Sequence, residues 1–86
     1  MYEQWKGKDI EDLVKEYKER ENEICILQGN ITDNFNKFLL LKNISEKEKM
    51  EKLINNLNTE KRGLQIVSNA LKSYIILQDA TYKYKI

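Results

Sequence analysis

The sequence predicts an all-α fold, an antiparallel two-helix coiled-coil hairpin that associates into a helical bundle. Three observations lead there: two long runs of apolar residues on a seven-residue repeat, one stop-and-restart signal between them at Lys42 to Glu48, and 86 residues with no proline and only three glycines. Proline is the residue that helix interiors exclude most strongly. One core is marginal at this length unless the helices pack very well or the chain associates, so oligomerisation is expected from the start.

Residues 1 to 8 read as a lead-in, with Trp5 and Tyr2 folding back as an aromatic cap on the helix ends. Trp5-Lys6-Gly7 is similar to the W-x-G tripeptide of the small secreted helical-hairpin proteins. That family carries the tripeptide at the hairpin bend, here Lys42 to Ser45, and its tyrosine-based export signal does not fit the spacing of Tyr74 and Asp79, so its properties are not carried over.

Helix 1 is expected from about residue 9 to 42, with Asp9 as N-cap and Glu11 and Asp12 in the first turn, where the helix dipole favours negative charge. Its seam is Ile10, Tyr17, Ile24, Ile31 and Phe38 at one heptad position, with Leu13, Leu27 and Leu41 at the other, interrupted by Arg20 and Asn34. Glu11 to Lys15 and Glu16 to Arg20 are favourable i,i+4 pairs. The repeat passes through Gly29-Asn30 without losing phase, which argues for one continuous helix; the alternative is a three-helix bundle broken near Gly29.

The corner is placed at residues 42 to 45. Ser45 as N-cap and Glu48 three residues on make a capping box, and Asn43 tolerates the left-handed conformation of a helix end. Helix 2 follows from about 46 to 82, and a short basic tail covers 83 to 86, the whole forming a single helical domain. Its seam is Met50, Leu57, Leu64 and Leu71 with Leu53, Val67 and Tyr74, and its polar members are Glu60, Gln78 and Thr81. Folding about the corner sets Phe38 near Met50, Ile31 near Leu57, Ile24 near Leu64 and Tyr17 near Leu71.

The open end of the hairpin is unbalanced. Residues 8 to 23 are dense in charge, whereas Gly63 to Tyr82 carry only Lys72 and Asp79, with a second stripe of Ile66, Ala70, Ser73, Leu77 and Ala80 and with Ile75 and Ile76 beside it. One partner helix cannot cover two stripes. Phe35, Leu39, Leu40 and Ile54 form another apolar excess near the corner. The expected interface is therefore Ile66, Ala70, Ser73, Ile76, Leu77, Ala80, Phe35 and Leu39, and the expected partner is another copy of this chain, another protein, or both.

Catalysis is not expected. The chain has no histidine, and its single cysteine, Cys25 between Ile24 and Ile26, reads as an inert small hydrophobe. No glycine-rich phosphate loop, cofactor motif or metal-ligand set is present, so no cofactor and no metal are expected. Arg20, Asn34, Glu60 and Gln78 read as seam interruptions that set register.

A net charge of +1 gives no long-range field toward nucleic acid or a membrane surface. The second functional class is nonetheless a dimeric helical-hairpin nucleic-acid-binding regulator, with Lys61, Arg62, Tyr82, Lys83, Tyr84 and Lys85 as contacts, since basic and aromatic residues interleave there. Lys47, Lys49 and Lys52 are flanked by Glu46, Glu48 and Glu51, which offsets their attraction for phosphate. One cysteine, no signal-peptide pattern and no long apolar run point to a reduced cytoplasmic setting, in which the sequons at Asn30 and Asn43 go unused. The Lys, Ile and Asn bias is that of an AT-rich genome, bacterial or phage.

Overall fold

Two helices account for most of the chain in the computed structural model, which describes residues 2–86; Met1 of the expected lead-in lies outside the described residues. A 3-10 turn at Tyr2–Trp5 precedes α1, Ile10–Leu40, and α2, Ile44–Gln78, is followed by a second 3-10 segment at Ala80–Tyr84. No strand occurs among the described residues. The two helices pack against each other as an antiparallel hairpin 53 Å long.

α1 is one helix of 31 residues and runs unbroken through Gly29, so the three-helix alternative does not hold. The persistence of the heptad explains this: Leu27 and Ile31 on either side of the glycine are both buried against α2, and their packing outweighs the roughly 1 kcal/mol a helical glycine costs. Asp9 is the N-cap as expected, through its backbone carbonyl rather than its side chain. The seam of α1 is buried or half-buried at every apolar position from Ile10 to Leu41.

The corner differs from expectation. α1 ends at Leu40, two residues early, and the bend is Leu41 to Asn43, all three in extended conformation or without regular structure. Asn43, not Ser45, is the N-cap of α2: its Oδ1 accepts from the Glu46 backbone N–H at 3.2 Å. Ser45 lies inside the first turn, so the capping box with Glu48 does not form. Asn43 sits at φ −83°, so it plays no left-handed role either. Asn is as good a cap as Ser, and capping two residues earlier keeps Ile44 and Ser45 helical.

α2 stops at Gln78, four residues before the expected end. Asp79 stops it. With φ −151° and ψ 105°, its Oδ1 accepts from both the backbone N–H and the hydroxyl of Thr81, starting the 3-10 segment that holds Lys83 and Tyr84 of the expected tail. Those two bonds, the side-chain one foremost, hold the Asp79 carboxyl below its ordinary value.

The core sits at the open end, where both termini fold over the helix pair. Trp5, Leu13, Leu71 and Ile75 are fully buried, and Ile10, Tyr17, Ala70, Tyr74, Tyr82 and Ile86 pack around them. Burying a side chain of this kind contributes about 1.5–3 kcal/mol. The lead-in is thus an aromatic cap, with the rings of Tyr2, Trp5 and Tyr74 mutually 5.5–6.0 Å apart.

The inner face of α2 is displaced from the expected seam. Ser68 and Ile75 are fully buried, whereas Leu53 and Glu60, at expected seam positions, are exposed. The reason is that Ser68 and Ile75 are small or apolar and share a flank with Leu64 and Leu71, while the alternate position carries charge at Glu60. The inter-helix register nevertheless falls within about one residue of expectation, since Glu21 meets Ser68 and Gln28 meets Lys61.

Candidate functional site

Four residues of α2 spaced 4, 3 and 4 apart, Ile66, Ala70, Ser73 and Leu77, fall on one helical face. That face is turned away from α1, since the residues facing α1 are Leu64, Ser68, Leu71 and Ile75. Ile66 is 60% exposed and Leu77 71%. Ser73 is also exposed, while Ala70 is half-buried because it packs against the buried cluster of Trp5, Leu13, Leu71 and Ile75. Part of the apolar excess at the open end is thus ordinary core: Ile75 is wholly inside and Ile76 half-buried. Ala80 is exposed but lies past Gln78, out of helical phase with the stripe.

A second apolar surface surrounds the corner. Phe35, Leu39 and Leu40 of the expected apolar excess are exposed, and so is Ile44, which no sequence periodicity marks because it lies at the corner, outside both seams. Phe35 lies 6.3 Å from Phe38, nearly parallel to it, and the two rings line a groove with Glu51, Ile54 and Asn55. Lys47 stands 5.4 Å over the Phe38 ring, a cation–π contact.

The polar seam residues do not come together. Arg20 pairs with Glu16 at 3.0 Å, the i,i+4 partner expected for it, and its buried Nε has no hydrogen-bond partner. Asn34 donates to the Asn30 carbonyl at 2.8 Å, and Glu60 is exposed beside Leu27. Among the described residues, no three His, Cys, Asp or Glu side chains are placed to hold a metal ion. Cys25 is exposed, not a packed hydrophobe, because Ile24 and Leu27 take the inner face of α1.

The basic and aromatic residues are divided between two places. Lys61 donates to Gln28 across the hairpin and Arg62 is exposed, roughly 30 Å along the axis from the terminal segment. At that segment Tyr82 packs on the core with Lys85 5.1 Å over its ring, while Lys83 and Tyr84 are exposed. No helix of the described residues is long and apolar enough to cross a membrane.

Fold and surface together define an all-α helical hairpin with an uncovered apolar face on its second helix. No family model matches the chain, and no curated protein or solved structure matches it.

Proposed function

We propose that this protein is a non-catalytic protein–protein interaction module, a small adaptor, inhibitor or chaperone-like binder, and that it self-associates. One observation carries the reading: Ile66 and Leu77 stand exposed on the outer face of α2 while α1 runs unbroken and supplies no third helix to cover them. Apolar faces of this kind on monomers mark interaction sites more often than accidents. The corner, with Phe35 and Leu39, is a second contact surface at the other end of the rod.

The test is solution mass by sedimentation over a concentration series, with circular dichroism on the same samples. The native chain should gain mass with concentration, and Leu77→Glu should remove that gain while leaving helicity intact, because Leu77 is 71% exposed. A monomer mass at every concentration in the native chain would overturn self-association.

A further inference from the structure

The N-terminal turn covers one edge of the outer face of α2. Around the helix axis, at about 100° per residue, Tyr74, Ala70, Leu77, Ile66 and Ser73 succeed one another within an arc of about 100°. The Tyr2 and Trp5 rings lie 5.5 and 5.8 Å from that of Tyr74, and Ala70 packs on the cluster to which Trp5 belongs. The half-buried edge at Tyr74 and Ala70 therefore runs straight on into Leu77 and Ile66, which are exposed. With the turn docked, the exposed part from Leu77 to Ser73 spans only about 40°, against the apolar stripe of roughly 100° by which a helix packs on a partner. Lifting the turn restores the full width. We propose that Tyr2–Trp5 is an autoinhibitory strap: a second copy takes the Tyr74 and Ala70 edge only when the turn leaves it, so docking of the turn and self-association compete. The proposal rests on the self-association reading and specifies its control.

The turn is built to separate from the helices. Of residues 2–9 only Trp5 is buried. Its indole N–H is buried without a partner, and leaving the core returns that donor to water. Gly7 stands between Trp5 and α1 at φ +84°, with nothing within 4 Å of where a Cβ would be, so the backbone has room to pivot there. The first turn of α1 has its own support beyond the pivot, since the Asp9 carbonyl accepts from the backbone N–H groups of Asp12 and Leu13 at 3.1 Å. Burial of one aromatic side chain keeps the docked form in roughly hundredfold excess, and the tendency of each copy to associate falls by that fraction.

Trp5 is the one tryptophan of the chain, so its emission reports docking while sedimentation reports mass on the same samples. As the native chain gains mass, the emission should move to the red and quenching by acrylamide should rise severalfold. Gly7→Ala strains the docked turn and keeps every packed side chain, so it should lower the dissociation constant of the assembly at least tenfold. Trp5→Ala should lower it further with helicity retained, and Trp5→Phe, which refills the seat, should bring it back toward the native value. Should Trp5→Ala lose its helices, Gly7→Ala carries the test. A native assembly in which Trp5 stays blue and shielded, or a Gly7→Ala chain that associates no more tightly, would overturn the strap and leave self-association standing. A native chain that stays monomeric while Gly7→Ala gains mass would uphold the strap and overturn self-association of the native chain. Monomers throughout, Gly7→Ala included, would overturn both readings.

Discussion

The hydroxyl of Ser68 on α2, fully buried, donates to Oε1 of Glu21 on α1 at 2.5 Å. It is one rung of a ladder along one flank of the hairpin. Seven residues on along α1 and seven back along α2, Gln28 meets Lys61, and a further seven bring Phe35 to the groove it shares with Ile54. This flank runs from polar at mid-length to apolar at the corner, and only a small side chain fits at 68.

Substituting Ser68 separates its size from its hydrogen bond. Ser68→Ala should cost about 1 kcal/mol or less, since Glu21 is exposed and water replaces the lost donor. Ser68→Leu should cost about 1–3 kcal/mol by overpacking a fully closed site. Thermal melts at one fixed protein concentration check the order, at about 4–8 °C per kcal/mol for a chain of this size. Equal losses in the two variants would mean the hydrogen bond, not the space, governs the position.

Trp5 anchors the N-terminal turn over the helix pair and is 1% exposed, with its indole N–H buried and unpartnered. Trp5→Ala should cost about 3 kcal/mol, near the low end for core aromatics because the segment is terminal and can withdraw. That is a large part of the 5–15 kcal/mol a small domain has. Trp5→Phe should recover most of it, as the unpartnered N–H contributes nothing favourable. Denaturant midpoints of the three proteins decide the matter, and a silent Trp5→Ala would mean the turn is not docked in solution.

The two arms, the unbroken first helix and the register were legible because one heptad position filled by five apolar residues from Ile10 to Phe38 leaves few alternatives. The aromatic cap was legible too, since Trp5 had nowhere else to bury. What was not legible turns on local competition. Asn43 and Ser45 are equally good caps two residues apart, so local sequence does not choose between them, and α2 starts at the first, a turn that sets Lys47 over the Phe38 ring. Asp79 reads as a mid-helix carboxylate until Thr81 supplies the two donors that break the helix there. The stripe was visible by spacing, but sequence alone could not separate Ile75, which is core, from Leu77, which is surface.

Tyr17 gives the hairpin an alkaline limit. Its phenol is raised above the ordinary 10.0, first by burial and then by the nearby Glu21 carboxylate. A phenol harder to ionise when folded than when unfolded favours folding fully below pH about 10, and that contribution is lost as pH rises through the folded value. Urea midpoints should therefore fall between pH 9 and 11 more steeply for the native chain than for Tyr17→Phe, which has no phenol to ionise. Parallel slopes in the two proteins would show that Tyr17 does not titrate differently on folding.

The glycines make opposite predictions from one substitution. Gly29 lies in the interior of α1, exposed, and a methyl group added there meets nothing within 4 Å. Gly29→Ala should stabilise by about 0.5–1 kcal/mol through reduced chain entropy and better helix propensity. Gly7, between the Trp5 turn and α1, has φ +84°, a backbone conformation L residues rarely adopt. Gly7→Ala, although it too meets no neighbour, should destabilise by about 1–2 kcal/mol. Thermal melts of the two variants should move in opposite directions. A gain at both sites would mean that the chain reverses into α1 without a left-handed residue at position 7, and with it that Trp5 reaches the core by another path.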